Sequence, residues 1–483
     1  MAAFGLRPSS RAWLPLACAM LAGAALAGDK APTPEGAKQL QALLAQLLSS
    51  GGAPPPVTVK ADGADYVITA DLGALASVLG KSGEAIYDPA SLILRAREQD
   101  DGLWRVEQNS FPKIATRVGD ATGRFEVANY RQTLLIDPNI FWWRSGSASA
   151  EKGAFTLQGP DFVESFEFGK AKADYATTVK SDQSLSTTVR EEVGDIDLKF
   201  AAVAKGREPM TASGRIEKIS FNVGADGVKP TRILALWKLL SAPRATLREH
   251  ETELKDVLRD LAAPSLKFVE GVEASKVMVA SPYGAISLAG AKVALGVANA
   301  GPDSAIDAAI SAEGLSLPVA LAPPGAADLT PSKIDLAATF KGFDIAAAAN
   351  AAIDHMKLKD NGPAISDDDA SKVAAALLGS GPMRLEIARS HIVAPAIDAE
   401  VEGAFHYTLG KGSGAVTIRM RNFDKTMTAI RALGPEIQLK AIPALALAKG
   451  LAKTDNDGRL SWVVEVNENR SIKINGIPLG KTP

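Results

Sequence analysis

The sequence has little cysteine and histidine, and this narrows the kinds of site it can build. The chain has 483 residues, with a single cysteine, Cys18, and four histidines. Zinc sites are built mainly from cysteine and histidine, and no two histidines here have the i, i+4 spacing of a helical metal pair. The sequence therefore predicts no metal centre and no cofactor. No disulfide can form within the chain, because Cys18 is its only cysteine.

Neither sign of charge dominates the chain. Lysine and arginine together number 53 and acidic residues 55, for a formal net charge of −2. A protein that binds nucleic acid needs a basic patch or stripe to neutralise phosphates, so this composition argues against a nucleic-acid partner. The catalytic patterns GxSxG, HExxH and GxGxxG are also missing. We therefore expect a protein that is not an enzyme, with a hydrolase as the least favoured alternative.

A long apolar run is found only at the start of the chain. Arg7 and Arg11 precede a mostly apolar stretch at 13–26, and the small-x-small sequence Ala-Leu-Ala ends at residue 27. This order is typical of a secretory signal peptide that is cleaved before Gly28. The stretch is shorter than the ~20 residues that a permanent membrane span needs. We expect the mature chain to be periplasmic and to have no transmembrane span.

Two alternatives to cleavage by the ordinary signal peptidase remain open. The apolar stretch could stay attached as an uncleaved anchor. Cys18 could be lipidated, but Pro15 stands where a lipoprotein signal usually has a branched residue. The ordinary cleaved signal at 1–27 is the favoured interpretation.

The periodicity of the apolar residues and the composition divide the mature chain into four parts. Residues 28–56 contain a leucine-rich helix at 35–49, with leucines 40, 43, 44, 47 and 48 on one stripe, followed by the linker Gly-Gly-Ala-Pro-Pro-Pro. Residues 57–230 alternate apolar and polar, as in Ile196, Leu198 and Phe200, which predicts antiparallel strands with one solvated face. Residues 231–264 have helical periodicity and form a predicted helical pair.

The second β-rich part, 265–483, alternates in the same way. Its apolar residues are predicted to share one face while Arg384, Glu386, Thr417, Arg419 and Lys473 share the other. The apolar set comprises Ile286/Leu288, Leu295/Val297, Ile334/Leu336, Met383/Leu385/Ile387, Val416/Ile418/Met420 and Ile472/Ile474. The predicted fold is therefore α+β, with mostly antiparallel, curved sheet and short helices packed on one side.

A strand–helix unit is repeated within this pattern. A strand that ends at Phe340 is followed by Lys-Gly-Phe-Asp344 and a helix, and a strand that ends at Met420 is followed by Arg-Asn-Phe-Asp424 and a helix. A looser copy ends at Asp71. Aspartate at this place predicts an N-cap that accepts hydrogen bonds from free helix amides, rather than a catalytic acid.

The most unusual cluster is Phe141-Trp142-Trp143-Arg144. Neighbouring residues of a regular strand point to opposite faces, so one of the two tryptophans should be exposed or line a groove. Arg144 beside it would suit an anionic head group. We predict these four residues as a ligand-binding site for a lipid or another amphiphile.

The end of the chain carries a resemblance to a known family. Asp457-Gly458-Arg459-Leu460 leads through a strand to Ile-Lys-Ile-Asn-Gly-Ile-Pro-Leu-Gly at 472–480. With the strand–helix units before it, this ending resembles the exported alphaproteobacterial family of the domain of unknown function 2125. More distantly, it resembles envelope proteins of the AsmA and YdgA type. The resemblance implies a periplasmic β-rich protein without known catalytic residues, and the AsmA type implies a curved sheet whose apolar face accommodates lipid chains.

The residues and the resemblance together predict a periplasmic, non-enzymatic protein of the cell envelope. Its ligand would be a lipid or another apolar molecule held in a groove of the β-sheet. If the apolar faces pack entirely on the helices, the chain would instead be a structural module or one that binds an envelope protein partner.

Overall fold

A computed structural model describes residues 31–48, 57–74, 85–202, 210–241, 244–322, 325–358, 364–379, 381–408, 411–469 and 471–481. The predicted signal peptide at 1–27 and the linker at 51–56 lie outside the described residues. The described residues form an α+β protein with mostly antiparallel, curved and unclosed sheet and short helices. The fold class predicted from the sequence is confirmed.

The chain divides into two compact units, which are described separately. The first comprises residues 1–209, 223–261 and 357–364, and the second comprises 210–222, 262–356 and 365–483. Strand β14 (Met210–Val228) contributes to both.

The first unit consists of strands and four helices within its described residues. The helices are α1 (Pro34–Leu48), α2 (Pro230–Ser241), α3 (Arg244–Glu249) and α4 (Glu251–Leu261). The strands are β1 (Val57–Asp62), β2 (Asp65–Asp71), β3 (Ala85–Asp88), β4 (Ser91–Glu98), β5 (Trp104–Gln108), β6 (Lys113–Val118), β7 (Ala121–Ala128), β8 (Arg131–Asp137), β9 (Trp142–Ala150), β10 (Lys152–Gln158), β11 (Phe162–Phe168), β12 (Ala171–Val179) and β13 (Leu185–Ala202).

These strands form an antiparallel sheet with two arms. One arm has the order β1–β2–β4–β5–β8–β9–β12. The other has the order β3–β6–β7–β10–β11. The 18-residue strand β13 joins them, because its first half pairs with β12 and its second half with β11. This topology requires short turns between neighbouring strands, such as the turn Asp62-Gly63-Ala64-Asp65 between β1 and β2.

The core of the first unit lies between α1 and the first arm. Leu40 and Leu44 of α1 are buried against Val57, Ile68 and Leu94 of the strands. The Gln41 side chain also accepts a hydrogen bond from the Val59 amide at 3.0 Å. The leucine stripe predicted from the sequence thus docks the helix on the sheet, although the side chains of leucines 43, 47 and 48 are outside the description.

The second unit is a longer meander with helices inserted between its strands. Its strands are β15 (Lys267–Ser281), β16 (Gly284–Ala298), β17 (Ser304–Glu313), β18 (Lys333–Phe343), β19 (Met383–Ala394), β20 (Ile397–Thr408), β21 (Lys411–Arg421), β22 (Lys453–Thr454), β23 (Leu460–Val466), β24 (Ser471–Ile474) and β25 (Ile477–Lys481). A short 3₁₀ turn covers Val319–Leu321. The helices are α5 (Ala326–Leu329), α6 (Ile345–His355), α7 (Asp367–Leu378), α8 (Phe423–Arg431) and α9 (Pro435–Leu451).

Neighbours in this order pair antiparallel from β15 to β21, and β21 then pairs with β23, β23 with β24 and β24 with β25. Helices α6 and α7 follow β18, and α8 and α9 follow β21. The two predicted strand–helix repeats are therefore real, and each inserts a pair of helices.

The two repeats begin their helices differently. Asp344 is the N-cap of α6 and accepts a hydrogen bond from the Ala347 amide at 2.8 Å, as predicted. The prediction for Asp424 is wrong, because the N-cap of α8 is Asn422, in the left-handed conformation, and Asp424 lies in the first turn. Its carboxylate pairs with Lys449 of α9 instead. In the looser copy, Asp71 accepts a hydrogen bond from the Ala74 amide at 2.9 Å.

Candidate functional site

The tryptophan cluster predicted as a ligand site lies in the core of the first unit. Trp142 and Trp143 are both buried, and both belong to the cluster that includes Ile136 and Ile140. Their ring centroids are 4.4 Å apart, and Trp143 also meets Tyr175 edge to face. The prediction that one of the tryptophans is exposed is wrong.

Irregular backbone explains why both indoles turn to the same side. Phe141, just before β9, has a positive φ of 54°. The β8–β9 register also shifts between Leu135 and Ile136. Strict alternation of side chains holds only in a regular strand, so these two irregularities remove the premise of the sequence argument.

Arg144 is engaged within the protein. Its Nη2 lies 2.9 Å from Oδ2 of Asp137, and its Nε donates to the same oxygen at 3.0 Å. Asp137 is buried and also accepts a hydrogen bond from the Asn139 amide. Arg144 therefore neutralises a buried carboxylate. The binding role of the four residues stays a prediction, without the exposed indole on which it was based.

A different apolar surface is exposed on the sheet of the second unit. Val293 of β16 lies directly opposite Ile310 of β17, which lies opposite Leu336 of β18. Val293 and Ile310 expose 49% and 50% of their surface. Two further rows of the same face follow this one in register. The apolar face, as we define it, comprises Val293, Leu295, Val297, Ile306, Ala308, Ile310, Leu336, Ala338 and Phe340.

This face arises directly from strand alternation. Every second residue of β16, β17 and β18 belongs to it, and the register brings these residues side by side without a break. Contacts between apolar side chains across neighbouring strands stabilise the pairing, but each side chain still leaves one side open. Contiguous exposed apolar surface of this size usually marks a place where another molecule binds.

The opposite face of the same sheet carries charged residues, several of which form ion pairs. Lys341 Nζ lies 3.0 Å from Glu386 Oε2, and Arg384 Nε lies 2.9 Å from the other carboxylate oxygen. On the neighbouring strands β20 and β21, Arg419 Nη1 lies 2.6 Å from Glu402 Oε1. The Lys341 and Arg419 hydrogen bonds hold the pKa values of Glu386 and Glu402 below their usual range. This face therefore interacts well with water and keeps its charges at neutral pH.

A third pair on the charged face is more enclosed. Arg459 Nη1 lies 2.6 Å from Glu400 Oε1, and only about a sixth of each side chain is exposed. The hydrogen bond lowers the pKa of Glu400 and raises that of Arg459. Both groups stay ionised, so the pair holds β20 to the start of β23 rather than supplying an acid or a base.

Helices cover one end of the sheet. Phe423 and Met427 of α8 pack on Trp462 of β23, and the partly buried Ile418 and Leu445 surround them. These sheet residues lie on the same side as the apolar face. Phe340 of that face pairs with Leu385, and Leu385 pairs with Phe405 of β20. Val401, on the same side of β20 as Phe405, pairs with Ile418, which pairs with Trp462. The sheet is thus covered at β21–β23 and open at β16–β18.

The sequence pattern located most of this face, with one error. Leu295, Val297 and Leu336 belong to the apolar face, and Ile334 lies on the same side of β18, as predicted. The prediction that Ile286/Leu288 share it is wrong, because residues 286 and 288 differ from 295 and 297 in parity along the unbroken strand β16. Val293 and Ile310 were not predicted, although the alternation of apolar residues along β16 and β17 was their signal.

Two further observations limit the chemistry of the described residues. No group of three or more histidine, cysteine or acidic side chains among them is placed to hold a metal ion. Within the same part of the chain, no helix has both the length and the apolar character needed to cross a membrane.

Comparison with known proteins gives one result. The model of a family described as "Uncharacterized protein conserved in bacteria (DUF2125)" matches residues 220–483, more than half of the chain. This is the region that carries the apolar face. No curated protein and no solved structure matches the chain.

Proposed function

We propose that this chain, which belongs to the DUF2125 family of bacterial proteins, holds an acyl chain or another apolar ligand on the apolar face of its second unit. The observation that supports this most directly is the row formed by Val293, Ile310 and Leu336, three large apolar side chains in cross-strand register that are open to solvent. The opposite face carries paired charges, so water and ligand would meet different sides of one sheet.

The spacing between neighbouring strands suits an extended hydrocarbon chain that lies across them. Neighbouring strands lie about 4.8 Å apart, so a row that crosses three strands offers a track about 10 Å long. Each methylene removed from water contributes about 0.8 kcal/mol. Contact with about eight methylenes would therefore supply at most ~6 kcal/mol, before the cost of ordering the ligand.

The protein would act in the periplasm as a non-enzymatic part of the cell envelope. The apolar stretch at 13–26 with its preceding arginines supports export. The proposed groove is also what the resemblance to AsmA-type envelope proteins implies. Together these features favour shielding or carriage of a lipid over catalysis.

The first test is to identify what the protein carries. The protein would be purified from its own periplasm, extracted with solvent, and the extract analysed by mass spectrometry. We expect a phospholipid or another amphiphile at a stoichiometric level. A protein that emerges empty and also fails to bind a fluorescent fatty acid would contradict the proposal and favour a module that binds a protein partner.

The second test uses two valines that differ only in face. Val269 of β15 and Val293 of β16 each expose 49% of their surface. Val269 pairs with Gly296, which neighbours Val297 along β16, so Val269 lies on the opposite face from Val293. A carboxylate placed under an apolar ligand costs several kcal/mol. We therefore expect Val293→Asp to weaken fatty-acid binding about tenfold or more.

The matched control is Val269→Asp, which introduces the same charge at the same exposure. We expect it to bind the fatty acid as the wild type does. Equal effects of the two substitutions would show that the ligand does not use the apolar face. Circular dichroism spectra that match the wild type would confirm that both variants are folded.

A further inference from the structure

The helix α9 is apolar on the side that packs and also on the side that faces water. Ile442, Leu445 and Ala448 pack against the cluster around Trp462, whose indole N–H donates to the Ala448 carbonyl at 2.7 Å. On the outer side, Leu439 and Leu447 expose 78% and 59% of their surface. A surface helix of a soluble protein ordinarily presents charged and polar residues to water, so this outer side departs from the rule.

The outer surface of α8 and α9 extends beyond the two leucines. The small residues Pro443, Ala446 and Gly450 are exposed on the same side of α9 as Leu439 and Leu447. We call this set, with Leu439 and Leu447, the outer face of α9. It is separate from the apolar face of the sheet, because α9 packs on the sheet with its opposite, inner side.

The segment that contains this outer face is rich in basic residues. Residues 421–453 contain six lysines and arginines but only two acidic residues, in a chain whose formal net charge is −2. The basic residues are Arg421, Lys425, Arg431, Lys440, Lys449 and Lys453, and all are exposed. One of the two acids, Asp424, is already paired with Lys449. The segment therefore presents a net positive charge around exposed leucines.

A cleft between the two helices adds a polar pocket. Its volume is about 460 Å³, and Arg431 and Lys449 line it together with Asp424, Met427 and Thr428. Ala446 and Gly450 of the outer face border the same cleft. Basic groups beside exposed apolar side chains are the arrangement with which interfacial helices bind anionic lipid, the leucines among the acyl chains and the cations at the phosphates.

We propose that the outer face of α9 is a docking surface for a membrane that contains anionic phospholipid. Charge complementarity selects this occupant: a second copy of the chain would bring the same positive charge to the contact. The helix would lie in the plane of the interface with Leu439 and Leu447 inserted. This inference does not rest on the ligand site of the sheet, which is tested with vesicle-free protein.

The test is flotation of the purified protein with lipid vesicles. One vesicle preparation contains equal amounts of phosphatidylglycerol and phosphatidylcholine, and the other contains phosphatidylcholine alone. We expect the protein to float with the anionic vesicles and to be released as salt is raised, because salt screens the charges. We expect Leu439→Glu combined with Leu447→Glu to lower the partition coefficient at least about tenfold.

Two more variants separate the apolar from the electrostatic contribution to vesicle binding. Lys440→Glu should weaken binding to the anionic vesicles about tenfold or more, since it removes one positive charge and adds a negative one. The control is Ile477→Glu combined with Leu479→Glu, which places the same charges at two half-exposed apolar positions of β25. This control should float as the wild type does.

Three results would overturn the proposal. The protein could fail to float with either vesicle preparation, or the double leucine variant could float unchanged. Light scattering could also show an oligomer that the double leucine variant separates into monomers, which would assign the outer face to contact between copies of the chain.

Discussion

The indole rings of Trp142 and Trp143 stack on each other with their planes 25° apart, although the two residues are neighbours in the sequence. Neither indole N–H has a hydrogen-bond partner among the described residues. A buried donor without a partner costs about 1–3 kcal/mol. The aromatic packing must offset that cost, which makes the pair a structural element of the first unit.

Truncating one member of this pair should therefore destabilise the protein. We expect Trp143→Ala to lower the free energy of unfolding by about 3–5 kcal/mol, the usual loss for a large buried aromatic side chain. Trp143→Phe should cost less, because it keeps a ring in the core and removes the unpaired N–H. Urea denaturation of the purified variants would measure both values.

The control for this prediction is Ile86→Ala in the same unit. Ile86 is largely exposed on β3, so its truncation should change the free energy of unfolding by less than about 0.5 kcal/mol. A Trp143→Ala variant as stable as Ile86→Ala would show that the stacked pair does not contribute to the core.

The two strand–helix repeats predict different responses to the same pair of substitutions. Asp344 caps α6, so Asp344→Ala should cost about 0.5–2 kcal/mol, while Asp344→Asn should be nearly neutral because asparagine caps equally well. Asp424 does not cap α8 and contributes only an exposed ion pair with Lys449. Asp424→Ala and Asp424→Asn should therefore have the same small effect.

Thermal unfolding of these four variants would test the assignment of the caps. A loss on Asp424→Ala that Asp424→Asn restores would mean that Asp424 caps its helix after all. Equal losses for the two Asp344 variants would mean that the charge of Asp344, and not its hydrogen bond to the Ala347 amide, stabilises α6.

The start of α7 carries an acid-sensitive cluster. Lys372 donates to Asp369 at 2.9 Å and the Ser366 hydroxyl donates at 2.7 Å. These bonds lower the pKa of Asp369 from 3.8 to about 2. Because the pKa is lower in the folded state, the carboxylate stabilises the fold above pH 3.8, and this stabilisation is lost as the pH falls towards 2.

We expect Lys372→Met to raise the pKa of Asp369 towards 3.8, because Lys372 is the largest cause of the shift. Lys372→Arg keeps the positive charge and should keep most of the shift. Carboxyl NMR titration would measure the pKa directly. An unchanged titration in Lys372→Met would assign the shift to the Ser366 hydroxyl instead.

Local pattern decided much of this fold. Alternation placed strands such as β18 and β21, because the direction of successive side chains along a strand is a local property. The leucine stripe of α1 likewise identified the side of the helix that would be buried, as Leu40 and Leu44 show.

The candidate sites depended on contacts between distant residues. No local rule shows that a left-handed Phe141 turns Trp142 and Trp143 to one side, nor that Asp424 meets Lys449. The sequence by itself determined which residues of β16–β18 are apolar and alternate. Only the tertiary structure decided that the helices cover β21–β23 and leave Val293, Ile310 and Leu336 open, because coverage depends on where distant elements pack.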